Sequence, residues 1–376
     1  MTEARSEPRP SRRRRSLPLA AAITFVVIVV ALAIASRVSL NYYVLSPGDA
    51  PSVGPLIKVP ADRAHRISGP ILLTDVFVSQ VTALSYLPDL LSGNDQVVPA
   101  DELESPGIPA SELTAQGYLE MVQAKAAAKT AAFGRLGYHV PEQNAGAVIA
   151  AVGSNTPAYG ALRVGQVLTA VDGVSTPTVC DAVGQLAKFG PGQQVTLSVE
   201  KNRFTADGTL VQGPTVTKSL RLATRPADVS ADSGCPRVKP ARGFLGVSIQ
   251  TQQDFTYPFP VTINTADIGG PSAGLAMTLG LINTLSGGHL TGGRIVAATG
   301  TIDPSGDVGD VGGVAQKTIA VEQAGATVFF VPPPELGAAR SKATSSLHVY
   351  AVSTLAQALS ILQKLGGHVP PATGAH

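Results

Sequence analysis

Residues 269–285 read Gly-Gly-Pro-Ser-Ala-Gly-Leu-Ala-Met-Thr-Leu-Gly-Leu-Ile-Asn-Thr-Leu, a glycine-rich turn that leads into an almost wholly apolar segment. Pro271 suits a helix start, so the pattern predicts a buried helix from Leu275 to Leu285, directly after Ser272. The unpaired N–H groups and the positive dipole end of such a helix can stabilise an oxyanion beside a serine nucleophile. Ser272 is therefore a candidate nucleophile, and the simpler structural interpretation is a serine N-cap.

A serine nucleophile needs a base, and the sequence offers a lysine rather than a histidine. The six histidines follow no Ser-His-Asp pattern, whereas the segment from Gly313 to Gly325 is predicted to be a helix with Lys317 on its apolar face. Burial disfavours the ammonium form, so a core-facing Lys317 would have a pKa well below its ordinary value of about 10.4. The alternative is a lysine whose stem lies on the apolar face while its amine reaches solvent.

The order of these motifs resembles the proteolytic domain of Lon proteases. Gly-Pro-Ser-Ala-Gly is followed by Thr-Gly-Thr-Ile at residues 299–302 and by Gly-Gly-Val-Ala-Gln-Lys at residues 312–317. The resemblance implies that Ser272 is the nucleophile, that Lys317 is the general base, and that Thr299 assists near the lysine.

This resemblance covers about residues 243–363. It also implies that the active-site loop is supported by the residues around the serine, namely Gly270, Pro271 and Ala273. Gly269 departs from the family, in which an acidic residue commonly precedes Gly-Pro-Ser. Upstream, Gly69 to Val78 and a predicted helix from Ser111 to Phe133 resemble the first strands and first helix of the same domain. The residues between the predicted helix and about residue 243 would then be an insertion in this domain. The alternative is that the upstream segments form a separate cap.

Residues 141–225 resemble bacterial PDZ domains through an Asp-Gly turn and a closing Gly-x-x-Val-x-Leu-x-Val strand at residues 192–199. The resemblance implies that an extended peptide binds as an added strand beside a helix, predicted at residues 181–188. We predict that Val183 and Leu186 on this helix contact the peptide. The alternative is a small β-rich domain used only for packing.

The resemblance to PDZ domains also implies a loop that binds the carboxylate of a peptide. The stretch from Phe133 to Tyr138 is the candidate for the loop that binds a peptide carboxylate. Residues 226–242 mix Pro, Asp, Ser, Arg and Lys, and this composition predicts a linker.

The N-terminal region contains a long apolar run. Leu17 to Ala35 carries no charge over nineteen residues, which as a helix would rise roughly 28 Å. Four arginines precede the run and only Arg37 follows, so the positive-inside rule predicts a cytoplasmic N-terminus and an extracytoplasmic location for the rest. The alternative is a cleaved signal peptide.

Composition narrows the function classes further. Residues 17–376 carry 22 basic and 24 acidic residues, so nothing attracts nucleic acid electrostatically. Cys180 and Cys235 either form a disulfide or are two small core residues, and neither has metal-ligand spacing. No Gly-x-x-x-x-Gly-Lys-Ser/Thr motif occurs, so we expect cleavage without ATP and with no cofactor.

The sequence thus predicts an α+β fold and a membrane-anchored, ATP-independent serine endopeptidase that cleaves extracytoplasmic peptides or unfolded proteins. A membrane-tethered binding scaffold is the alternative, a signal-peptidase-like Ser/Lys enzyme is a third hypothesis, and a homo-oligomer is implied by resemblance alone. The predicted segments are a cytoplasmic tail (1–16), a transmembrane helix (17–36), an N-terminal region (37–140), a PDZ-like domain (141–225), a linker (226–242), a Lon-type domain (243–366) and a flexible tail (367–376).

Overall fold

The computed structural model describes residues 16–103, 108, 110–206, 208–227, 229, 234–236, 242–266 and 268–371. Nearly all of the predicted cytoplasmic tail, much of the predicted linker at 226–242 and the last five residues of the predicted tail lie outside this set.

The helices of the described residues, in chain order, are α1 (Ser16–Ala35), α2 (Tyr86–Leu91), α3 (Ala100–Leu103), α4 (Ala110–Arg135), α5 (Val179–Leu186), α6 (Gly274–Leu285), α7 (Val314–Gln323), α8 (Leu336–Lys342) and α9 (Leu355–Lys364). The helices predicted around residues 111–133, 275–285 and 313–325 are thereby confirmed as α4, α6 and α7.

The strands of the same residues are β1 (Ser39–Pro47), β2 (Ile57–Lys58), β3 (Ile71–Leu72), β4 (Val76–Thr82), β5 (Gln96–Pro99), β6 (Glu142–Val152), β7 (Val167–Val171), β8 (Val174–Ser175), β9 (Gln194–Glu200), β10 (Arg203–Phe204), β11 (Leu210–Val211), β12 (Thr215–Arg221), β13 (Ala223–Thr224), β14 (Gly243–Phe244), β15 (Val247–Phe255), β16 (Thr262–Ile263), β17 (Val296–Ala298), β18 (Thr301–Ile302), β19 (Val308–Gly309), β20 (Val328–Val331) and β21 (His348–Ala351).

The smaller of two compact units comprises the chain up to Ser46 together with Val78–Ala100. It contains α1 and a three-stranded sheet in the order β4-β1-β5. Helix α1 covers the apolar run, but among the described residues no helix combines the length and apolar character that a membrane crossing requires. The predicted transmembrane helix at residues 17–36 is therefore not supported.

Within the larger unit, the predicted PDZ-like block forms a six-stranded sheet in the order β12-β9-β7-β6-β15, with β8 paired to β7. Alternate residues of β9, Val195, Leu197 and Val199, are fully buried in one core with Ala182 of α5. Successive side chains of a strand point to opposite faces of the sheet, so every second residue of β9 faces this core.

The last strand of this sheet corrects a predicted boundary. We predicted that the Lon-type domain spans residues 243–366, yet β15 pairs antiparallel with β6 and so belongs to the six-stranded sheet. The predicted start at residue 243 is therefore wrong, because the chain returns to the sheet edge after the linker. Cys180 and Cys235 form a disulfide with a Cα–Cα distance of 5.4 Å, which fixes the segment after β13 to the first turn of α5.

The rest of the larger unit surrounds a four-stranded sheet in the order β21-β20-β17-β3. Strand β3 precedes the six-stranded sheet in the chain and β17 follows it, yet they pair in parallel with Ile71 opposite Val296. Helix α4 likewise precedes the six-stranded sheet in the chain, and α6 follows it. The two helices nevertheless share one core, which includes Ala128 of α4 and Leu279 of α6. The six-stranded sheet is thus inserted between two parts of one domain.

Candidate active site

Ser272 lies in a turn before α6 and does not cap that helix. The helix begins at Gly274, its N-cap position is Ala273, and no side chain caps it, so the simple N-cap interpretation of Ser272 is wrong. Gly270 adopts a left-handed conformation with φ of 83° and donates from its N–H to the Gly117 carbonyl at 2.8 Å. Ser272 is half-buried at this turn.

The backbone of Ser272 is held by the residues that follow β17. The Gly300 N–H donates to the Ser272 carbonyl at 2.9 Å, and Thr299 Oγ1 donates to the same oxygen at 3.4 Å. In return, the Leu275 N–H donates to the Gly300 carbonyl at 3.1 Å. Thr299 is fully buried, so these contacts fix the orientation of the serine backbone.

Two backbone N–H groups beside the serine are available for a ligand. Among the described residues, nothing accepts a hydrogen bond from the N–H of Ser272 or of Ala273. Both amides lie at the N-terminal end of α6, where the helix dipole is positive. The arrangement therefore provides donors for an oxyanion that forms next to Ser272 Oγ. Gly270 and Pro271 shape the turn that carries these amides.

Lys317 lies one turn into α7, whose start packs tightly against Val76 of the larger unit. Gly313 adopts a left-handed φ of 68°, and a Cβ there would come within 2.9 Å of Val76 Cγ1, so only glycine fits. Lys317 is 3% exposed, so the alternative in which its amine reaches solvent is wrong. Within the described part of the chain, Lys317 forms no ion pair.

The pKa of Lys317 is set by burial and by two carboxylates. Burial lowers this pKa to about 8, and the charges of Asp75 and Glu335 oppose that shift. Because a lysine with a pKa of about 8 is roughly one-tenth neutral at pH 7, it can accept a proton under ordinary conditions.

Asp75 is a residue of the site that sequence reasoning missed. Burial raises the pKa of its carboxyl, although a hydrogen bond from the Asp49 N–H partly lowers it. Because β3 and β17 are parallel neighbours, their carboxyl ends meet at one sheet edge, which brings Asp75 and Thr299 to the same side. The signal in the sequence was an acidic residue just after the apolar run Ile-Leu-Leu at residues 71–73.

Glu335 is a second missed residue, and it approaches Lys317 from the turn that precedes α8. Its Oε1 atom accepts a hydrogen bond from the Val311 N–H at 3.1 Å, which fixes the carboxylate near the start of α7. No sequence pattern links residue 335 to residue 317, because only the fold brings these segments together.

Comparison with known protein families agrees with this architecture. Residues 260–363 match the family model of the Lon protease (S16) C-terminal proteolytic domain, and residues 134–209 match the model of the PDZ domain. The chain combines a PDZ domain with a Lon-type proteolytic domain. Neither of these two models describes an ATPase domain.

Individual relatives agree over part of their length. Lon protease 1 of Sorangium cellulosum is 31% identical over 139 residues, which is 35% of this chain and 17% of that protein. Lon protease of Chloroflexus aggregans is 27% identical over 135 residues, or 35% and 16% of the two chains. Lon protease of Frankia alni is 35% identical over 95 residues, or 24% and 11%. The match thus spans less than a fifth of each relative.

The two residues predicted to contact a peptide differ in their burial within the PDZ domain. Leu186 is buried in the core of the PDZ domain, whereas Val183 on the same helix is half-buried. The candidate carboxylate-binding loop at Phe133 to Tyr138 is wrong, because Phe133 is fully buried in the core of the Lon-type domain and its ring packs edge-on against Phe259.

A groove of about 440 Å³ runs between α4, β15 and the loops beside Ser272. Gln123 of α4 and Gln250 of β15 line it and are joined by a hydrogen bond of 3.2 Å between Nε2 and Oε1. Pro271, the neighbour of Ser272, lines the same groove. Sequence reasoning missed this groove because its walls come from three distant parts of the chain.

Proposed function

We propose that this protein is a serine endopeptidase that uses Ser272 as nucleophile and Lys317 as general base and needs no ATP. The observation that carries the proposal is a buried lysine without an ion pair among the described residues, with a pKa lowered to about 8. An ammonium group in such a position costs several kcal/mol, and folds seldom tolerate that cost without a function. The Lon-type domain supports peptide-bond hydrolysis as that function.

In the first step, neutral Lys317 accepts the proton of Ser272 Oγ while Oγ attacks the carbonyl carbon of the scissile peptide bond. The resulting oxyanion accepts hydrogen bonds from the N–H groups of Ser272 and Ala273. The Lys317 ammonium then donates its proton to the leaving amine as the peptide bond breaks. The product is an ester between Ser272 and the acyl half of the substrate.

In the second step, a water molecule gives a proton to Lys317 and attacks the ester carbonyl. The tetrahedral intermediate collapses, the Ser272 Oγ leaves with the proton from Lys317, and the acid product departs. Asp75 and Glu335 stabilise the ammonium form that appears in both steps, because each is an anion near Lys317.

We assign peptides and unfolded proteins as the substrates. No motor domain is among the matching family models, so a substrate must reach Ser272 without being unfolded by the enzyme. The PDZ domain supports capture of an extended segment. The Cys180–Cys235 disulfide supports a location outside the cytoplasm, since disulfides persist in oxidising compartments.

The test is hydrolysis of casein without ATP by wild type, Ser272→Ala and Lys317→Met. We expect both substitutions to abolish cleavage, and Lys364→Met to retain it, because Lys364 is an exposed lysine on α9. Cleavage that persists in Ser272→Ala would refute the proposal. A wild type that binds casein and never cuts it would favour the binding scaffold.

A further inference from the structure

We propose that the free edge of β15 and the groove beside it form a single peptide track, which leads from the PDZ domain to Ser272 and fixes where a substrate is cut. The inference rests on the proposed peptidase function and deepens it. The ligand is an extended peptide with a free C-terminus, bound through its main chain.

The first observation is the open edge of β15. This strand is the last in the six-stranded sheet and pairs only with β6, so its outer edge carries unpaired backbone groups among the described residues. Such an edge is a template for an added strand, which is the way that PDZ domains bind peptides. Hydrogen bonds to the main chain make this binding tolerant of substrate sequence.

The second observation is that the start of β15 can receive a carboxylate. The N–H groups of Leu245 and Gly246 have no acceptor in the described part of the chain. Gly246 adopts a φ of 85°, and a Cβ at this position would come within 2.4 Å of three side-chain atoms of Thr156, so the turn requires glycine. A peptide whose C-terminus lies here must run antiparallel to β15.

The third observation is that the other end of β15 borders the groove beside Ser272. Gln253 and Phe255 line this groove together with Pro271 and Ile302. A peptide that leaves the PDZ domain antiparallel to β15 therefore carries its upstream residues toward the serine. The PDZ domain and the peptidase site are two ends of one track.

The length of β15 sets a distance along the substrate. The strand spans nine residues, and a paired antiparallel peptide matches it residue for residue over about 30 Å. The bond that reaches Ser272 should then lie about nine residues, within a range of roughly two, from the substrate C-terminus.

The walls of the groove define the side chains that it accepts. Its charged lining residues in the described structure are Glu120 and Asp303, both acidic, and Gln250, Gln252 and Gln253 offer neutral amides. Opposite charges attract and like charges repel at short range, so a track of this kind favours neutral and basic peptides over acidic ones.

The main experiment uses the full chain and a nested set of peptides made from one Ala-Ser-Lys repeat, each two residues longer at the C-terminus, with cleavage mapped by mass spectrometry. We expect the cut to move with the C-terminus and to stay about nine residues from it. C-terminal amides should be cut roughly tenfold more slowly, the effect of losing about 1.4 kcal/mol of carboxylate binding. A cut at a fixed distance from the N-terminus, or one indifferent to amidation, would overturn the inference.

A second experiment blocks the track without touching the proposed dyad. Gln253→Trp fills the groove from an exposed position, and Gln363→Trp is the matched control, because Gln363 is an exposed glutamine on α9 and is not a lining residue of the groove. We expect Gln253→Trp to lower kcat/KM for the peptides roughly tenfold, while Gln363→Trp stays within about twofold. Labelling of Ser272 by a small fluorophosphonate should be equal in all three proteins.

The outcomes separate the two proposals. Casein and peptides that are both left intact, with no fluorophosphonate labelling, would remove the peptidase function and the track together. Casein cleavage with peptide cuts that ignore the C-terminus, or equal kcat/KM for both tryptophan variants, would remove the track alone.

Discussion

Two lysines of the Lon-type domain differ in their degree of burial and in the groups that surround them. Lys129 on α4 is half-buried with its amine 4.3 Å from the centroid of the Tyr257 ring, and burial lowers its pKa. Lys317 on α7 is 3% exposed, and burial lowers its pKa to about 8 against the charges of Asp75 and Glu335. The ring stabilises the Lys129 cation, whereas an enclosed site beside two carboxylates suits a lysine that gains and loses a proton.

The largest expected effect comes from Lys317→Met, which keeps the length of the side chain and removes the proposed base. We expect kcat/KM to fall by about 10²-fold to 10⁴-fold, because general-base catalysis contributes that much. The folded-state pKa lies below the unfolded value of about 10.4, so below pH 8 the wild type is destabilised by up to about 3 kcal/mol.

The same variant should therefore be less active and more stable. Thermal unfolding of Lys317→Met and wild type at pH 7 checks this, and the difference should shrink between pH 8 and pH 10.4 as the wild-type lysine loses its proton. Equal or lower stability of Lys317→Met at pH 7 would contradict the burial of a charged amine.

The next effect is the pH dependence of cleavage. If neutral Lys317 is the base as proposed, kcat/KM should rise about tenfold per pH unit below the pKa of about 8 and level off above it. The measurement is initial rates on a peptide from pH 6 to 9.5, with Asp254→Asn as a control whose profile should match wild type. A flat profile over this range would rule out Lys317 as the titrating base.

A smaller effect is expected from Asp75→Asn, which preserves an acceptor for the Asp49 N–H. The Asp75 charge raises the pKa of Lys317, so its removal should lower that pKa and move the rise in kcat/KM to lower pH. The ammonium that forms during the reaction also loses a counter-charge, so the plateau should fall. An unchanged midpoint would show that Asp75 supports the fold and does not act on Lys317.

The smallest effect is expected from Lys129→Met, the control for the comparison of the two lysines. Methionine keeps the contact with the Tyr257 ring through its sulfur, so stability should change by less than about 1 kcal/mol. Its kcat/KM should stay within about twofold of wild type, with the same pH midpoint. A loss comparable to that of Lys317→Met would show that burial of any lysine in this domain affects catalysis.

Sequence reasoning succeeded where a structural feature depends on neighbours in the chain. The turn before Ser272 and the helix around Lys317 are local patterns, and both were confirmed in α6 and α7. It missed Asp75 because its role depends on β3 pairing with a strand far along the chain. For the same reason it assigned β15 to the wrong domain, since an alternating strand does not specify its partner.

The order of the chain also controls when the candidate active site can form. The sheet that carries the site needs Ile71 beside Val296, so the whole PDZ domain must leave the ribosome before this pair can form. Long-range contacts of this kind slow folding. A nascent chain therefore completes its PDZ domain before the sheet that positions the candidate active site can assemble.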